Sequence, residues 1–306
     1  MKIKNSVVYP LITPFKENGD IDIVGIKKYV DYLISQKVKM IITTVGTSRF
    51  NLLENSEINE VNKKLIESAD SRSTVLCAGP IYGSTKVNLH SLKESISNGA
   101  DGYLAIYPER FYEENSIIKF YFELAEKSSI PIFIHQMSLR SGYGGYVSYT
   151  ENLISRLMNH ENILGMKEES QNKKISNWIH QNFSNEKIII GQGGMVNFLR
   201  DVEYGAKSYL AGLGSFLPSI EEKFYKYMIE GKISKAIDIK ENYEDIYFDF
   251  AIDLGWHIQL KKILSFMNLM NDYERLPLQP LSENNTKKLR NFLENHKFLF
   301  PEIKES

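Results

Sequence analysis

The chain has 306 residues, 42% of them apolar and 25% charged, with a formal net charge of -1. That is enough apolar chain for a substantial core, and there is no basic field of the kind that holds nucleic acid or an anionic membrane surface. The single cysteine, Cys77, cannot form an internal disulfide, and no apolar run reaches signal-peptide or membrane-spanning length, so a cytoplasmic protein is the expectation.

Short runs rich in Val, Ile and Tyr recur about every 25 to 30 residues, and helical patterns lie between them. In chain order the strands are predicted at Val7–Ile12, Met40–Thr44, Thr74–Ala78, Gly102–Ile106, Pro131–His135, Ile163–Lys167, Ile188–Ile190 and Ser208–Ala211. The intervening helices include Val24–Gln36, Asn55–Ser68, Val87–Asn98, Ile117–Lys127 and Glu151–Asn159. Eight such units predict an α/β fold in which a parallel sheet closes into a (β/α)8 TIM barrel. The competing doubly wound sheet would want a Gly-x-Gly-x-x-Gly turn after the first strand, where this chain has Thr13-Pro-Phe-Lys-Glu-Asn-Gly19. Beyond Pro218 only helical patterns remain: Ser219–Met228, Ile233–Phe248, His257–Met270 and Asn285–His296. The expected organisation is a barrel core over residues 1–218, followed over 219–306 by the last barrel helix and a C-terminal helical extension.

Chemistry in such a barrel lies at the C-terminal ends of the strands, where the loops converge. Lys167, in Asn162-Ile-Leu-Gly-Met-Lys-Glu-Glu169, would stand at the lip of the barrel. Partial desolvation there lowers an amine's pKa and frees it to attack a carbonyl. The alternative is a solvated or ion-paired lysine, since two acids follow it. The second strand ends in Gly46-Thr-Ser48, whose hydroxyls and backbone N–H groups suit a carboxylate, unless the motif is only a turn. Arg110 follows the fourth strand, His135 and Arg140 the fifth, and Gly191-Gln-Gly-Gly194 the seventh. Of the six histidines only His135 falls at a predicted strand end, which argues against a metal cluster at the mouth. Phe50, Phe111 and Tyr112 are candidates for an interface or a substrate wall.

Taken together, Leu11-Ile-Thr-Pro-Phe15, Gly46-Thr-Ser48 with Leu52-Leu-Glu54, Gly99-Ala-Asp-Gly102, Gly165-Met-Lys167, Gly205-Ala206 and Leu276-Pro-Leu-Gln-Pro-Leu281 resemble, in order and spacing, the dihydrodipicolinate synthase / N-acetylneuraminate lyase family of class I aldolases. The resemblance implies a Schiff base between Lys167 and pyruvate or another 2-oxo acid, with Thr47 and Ser48 holding its carboxylate. It also implies a homo-oligomer, a dimer or tetramer. The chain departs from the family at the far half of the site. His135 and Gln136 stand where the family's fifth strand usually has Tyr-Asn, the tyrosine being its proton relay. Arg49-Phe50 replaces the usual Gly-Glu, and Pro108-Glu-Arg110 replaces Pro-Tyr-Tyr. Arg140 aligns with an arginine that helps bind the second substrate's acid group in the synthases.

Histidine shuttles protons near neutral pH more readily than tyrosine, so His135 is expected to take over the relay; the alternative is a structural histidine. Arg49, Arg110 and Arg140 would bind an anionic or polyhydroxylated partner such as a sugar acid, unless Arg49 and Arg110 pair with nearby acids such as Glu54, Glu109 or Glu113. The expected catalytic set is therefore Lys167, His135 and Thr47, and the expected substrate-binding set is Thr47, Ser48, Arg140, Arg49 and Arg110, with no cofactor and no metal. The expected activity is cleavage or condensation of a sugar-acid-like substrate. Schiff-base dehydration or deamination, a synthase-like condensation, and a barrel that binds a 2-oxo acid as a sensor or scaffold are the alternatives.

Overall fold

A computed structural model describes residues 3–108, 113–137, 149–170 and 172–297. Eight strands lie at Val7–Pro10 (β1), Met40–Ile42 (β2), Thr74–Ala78 (β3), Gly102–Ala105 (β4), Ile132–Met137 (β5), Ile163–Glu169 (β6), Ile188–Gly191 (β7) and Ser208–Leu210 (β8). They pair in parallel in sequence order, and β8 returns to β1 with Val7 opposite Tyr209, so the sheet closes. The helices between them are Ile23–Ser35 (α1), Asn55–Ala69 (α2), Thr85–Asn98 (α3), Glu114–Glu126 (α4), Glu151–Met158 (α5), Lys173–Phe183 (α6) and Met195–Asp201 (α7). The expected TIM barrel is the observed fold.

Local chemistry sets the element ends. The Asp22 carboxylate accepts the Gly25 N–H at 3.0 Å and starts α1, and Asn172 accepts from Lys174 and Ile175 at the start of α6. Side chains so placed satisfy backbone donors that the first helical turn leaves open. At the end of α3, Gly99 turns left-handed, with φ 93°, and stops the helix.

Side chains on β5 and β6 alternate between two environments. Beyond a register shift at the start of the pair, Ile134 and Met166 pack outward against the helices, whereas Phe133 belongs to the other core cluster, which also holds residues of β1 to β3. The same period of two turns His135, Lys167 and Glu169 to the interior, and it turns Glu168 outward onto α6, where Ser176 Oγ donates to its carboxylate at 2.7 Å. Gly165 lets the strands close: a Cβ there would stand 2.0 Å from the carbonyl oxygen of Ile188 on β7.

After β8 the chain is helical: Pro218–Ile229 (α8), Ile233–Ile239 (α9), a π-helical stretch Lys240–Asp245, Ile246–Ala251 (α10), Trp256–Phe266 (α11) and Glu283–Asn295 (α12). This extension is tied to the barrel by polar contacts as well as by apolar packing. Tyr29 and Tyr32 of α1 donate to the carbonyls of Ser215 and Phe216 at 2.9 and 2.8 Å, just before α8. Arg275 grips both oxygens of Glu57 on α2, at 2.7 and 2.8 Å.

Candidate active site

At the C-terminal face of the barrel lies a cleft of about 610 Å³. Thr47 and Glu169 line it from the β2 and β6 ends, and Gln192, Gly193 and Gly194 from the β7 end. The extension closes the other side with Glu244, Phe248 and His257. Such a concave site at the strand ends is where barrel chemistry is performed.

Lys167 is 2% exposed. Desolvating an ammonium is costly unless it is paired, and here the partner is Glu169, two residues along the same strand, whose carboxylate contacts Nζ directly. His135 lies opposite Lys167 in the β5–β6 register, with its Nε2 3.4 Å from Nζ and 2.9 Å from the second Glu169 oxygen. Amine, imidazole and carboxylate therefore form a closed triangle.

Charge within the triangle follows from its surroundings. Burial lowers the pKa of His135 and the Lys167 charge lowers it further, with Glu169 opposing both. Burial alone would raise the Glu169 carboxyl, but the Lys167 ammonium and the His135 hydrogen bond outweigh it and hold the group well below the usual carboxylate range. An ionised carboxylate only accepts, so the Nε2 of a neutral His135 carries the proton and donates it to Glu169. Among the three, Glu169 is the one that lines the cleft, its side chain 28% exposed.

Thr47 lines the cleft. Ser48 is fully buried; its hydroxyl donates to the carbonyl of Leu11 and accepts the Thr44 N–H at 2.9 Å. Its side chain thus braces the turn. Arg49 requires a correction, because the expectation of a substrate contact does not fit its position. Its side chain is 3% exposed and its guanidinium holds Glu274 at 2.7 and 3.1 Å, far along the chain from the acids Glu54, Glu109 and Glu113 suggested by proximity in sequence. It also donates to the carbonyl of Gly46 at 3.2 Å, which fixes the Gly46-Thr47-Ser48 turn from behind. Phe50 is likewise fully buried in the core rather than forming a wall or interface. Arg110 and Arg140, with Phe111 and Tyr112, lie outside the described residues.

Two residues at the site were not anticipated. Glu169 was legible in principle, since a strand extended by two residues must carry it to the same face as Lys167. His257 had no such signal. It enters from the first turn of α11, lines the cleft and places Nδ1 3.3 Å from the Arg49 guanidinium. Burial and the Arg49 charge push its pKa down to about 4, so it is neutral near pH 7. Among the described residues no group of three or more His, Cys, Asp or Glu side chains is arranged to hold a metal ion, and no helix is long and apolar enough to cross a membrane.

Comparison with known proteins bears on this geometry. A sequence model described as the Dihydrodipicolinate synthetase family matches residues 4–296. A 4-hydroxy-tetrahydrodipicolinate synthase of Archaeoglobus fulgidus is 27% identical over 292 residues, covering 94% of this chain and 97% of that protein. Among solved structures, dihydrodipicolinate synthase from Aquifex aeolicus aligns with a TM-score of 0.84 at 21% identity, covering 97% of this chain and 99% of its own. N-acetylneuraminate lyase from Fusobacterium nucleatum aligns with a TM-score of 0.85 at 16% identity, covering 95% and 98%. At those identities the structural likeness speaks for the fold.

Proposed function

The chain belongs to the dihydrodipicolinate synthetase family, and from that premise we propose that it is a class I, metal-independent aldolase acting on pyruvate or another 2-oxo acid. Lys167 forms the Schiff base. The observation that carries this reading is an amine sealed at the end of β6, 2% exposed, whose contacting carboxylate opens onto the cleft.

In this reading the neutral amine attacks the ketone carbon of the 2-oxo acid, and water leaves with two of the three protons the ammonium carried. The resulting iminium withdraws electrons, so the bond pair released when a C–C bond beside it breaks is held as an enamine. Thr47 receives the substrate carboxylate on the cleft wall, and Ser48 keeps that turn in shape. His135 supports the proton transfers around the nitrogen through its hydrogen bond to Glu169. The second substrate is sugar-acid-like, and Arg110 and Arg140 are proposed to help bind it.

The test is reductive trapping. Incubation with pyruvate, or with a longer 2-oxo acid, and borohydride should add one reduced 2-oxo acid to the peptide that contains Lys167, and K167A should lose it. Failure of every 2-oxo acid to leave an adduct on the wild-type protein rules the reading out. Release of pyruvate from a sugar acid then identifies aldol cleavage; dehydration would leave the carbon chain intact.

A further inference from the structure

We propose that Glu169 is the residue that exchanges protons with the substrate in this site, and that His135 positions it from the barrel interior. The inference deepens the reading above and rests on the Lys167 Schiff base. Three observations carry it. Glu169 contacts Nζ of Lys167, the reacting atom. It lines the cleft, whereas His135 is 2% exposed and lies behind it. The Nε2–H of His135 is spent on the second Glu169 oxygen at 2.9 Å, which fixes the carboxylate with one oxygen toward the amine.

The proton account closes. Glu169 takes a proton from the Lys167 ammonium, and the neutral amine adds to the ketone. Glu169 then carries the protons that turn the ketone oxygen into water and ends as a carboxylate beside the iminium. For cleavage it removes the proton of the hydroxyl on C4; the C4 carbonyl forms, the C3–C4 bond breaks, and its electron pair passes through C2 to nitrogen, leaving a neutral enamine and an aldehyde. Glu169 returns the same proton to C3, which restores the iminium for hydrolysis.

The electrostatics of the site time these steps. Burial opposes ionisation of Glu169, and the positive nitrogen of Lys167 overcomes it. While nitrogen is positive, as ammonium or iminium, the group is held as a carboxylate, the form that accepts a proton. When the enamine forms that charge vanishes, the pKa of Glu169 rises, and the group is better able to give a proton to the carbon that needs one. Among the described residues, His135 from β5 and His257 from α11 act on this group with pKa values that burial lowers, and Glu168 beside it on β6 has a pKa that burial raises.

The experiment follows exchange of the C3 protons of pyruvate, and of 2-oxobutanoate, for deuterium by NMR in D2O, with borohydride trapping in parallel. In E169Q the exchange rate should fall about 100-fold or more, the usual worth of a positioned general acid–base group, while the Lys167 adduct still accumulates at a lower rate. Formate added to E169A should restore part of the exchange. Exchange in E169Q within about threefold of wild type, with the adduct formed, overturns the role of Glu169 and leaves the Schiff base standing. Absence of formate rescue in an E169A protein with a wild-type thermal transition also overturns it. Absence of any adduct in the wild-type protein overturns the Schiff-base reading instead.

Discussion

Arg49 and Glu274 join the turn after β2 to the C-terminal extension, with Nη2 2.7 Å from one carboxylate oxygen and Nε 3.1 Å from the other. Lys261 shares the same carboxylate at 3.1 Å, and neither acid nor lysine has more than 1% side-chain exposure. One buried anion therefore compensates two buried cations. The E274A variant is expected to lose about 3–5 kcal/mol, because removing one partner strands charges that remain desolvated. Urea unfolding of the two proteins measures this, and a loss below about 1 kcal/mol would place the pair in the class of solvated surface bridges.

Thr47 is expected to act on binding. In T47V the hydroxyl is replaced by a methyl group, and a hydrogen bond to a charged carboxylate contributes about 1.5–3 kcal/mol. KM for the 2-oxo acid should rise roughly 10- to 100-fold with kcat changed by less than about threefold, measured by steady-state kinetics. An unchanged KM would remove Thr47 from the carboxylate seat.

His135 is expected to act through Glu169. H135F removes the hydrogen bond that favours the carboxylate, so the Glu169 pKa rises and the acid limb of the kcat/KM profile moves to higher pH. The Lys167 adduct should still form. A lower kcat with an unmoved acid limb would mean that the imidazole serves only to pack the barrel.

Glu168, facing away from the cleft, gives a stability test with a defined sign. Burial pushes its pKa from 4.5 up to about 7, against the donors Ser176 and Ser170. The folded state therefore holds a proton that the unfolded state releases above about pH 4.5. Its stabilising share is fully present below pH 4.5 and is lost as pH rises to about 7. The difference in unfolding free energy between wild type and E168Q should move in favour of the variant across that window, by roughly 3 kcal/mol. Urea midpoints at several pH values read it, and a flat difference would mean that Glu168 is ionised throughout.

Much of this architecture is legible in the sequence. Alternation of short apolar runs with helical patterns is a local signal, and it located all eight strands, with ends displaced by up to two residues. The ends matter most at β6, read as stopping at Lys167 but continuing to Glu169, because those two residues hold the carboxylate that contacts the amine. Arg49 was misplaced for a different reason. Its partner lies 225 residues away, and no periodicity connects a turn after the second strand to a segment after the eleventh helix. His257 escaped for the same reason, since its place at the mouth depends on how the extension folds back.

That folding back sets an order of events during synthesis. Every strand, and with it Lys167, His135 and Glu169, is present once β8 ends at Leu210. A chain halted at that point lacks Glu244, His257 and Glu274, so one wall of the cleft is missing and the Arg49 guanidinium has no Glu274 counter-charge behind the turn after β2. Lys167 is thus made well before the part of the chain that completes the cleft.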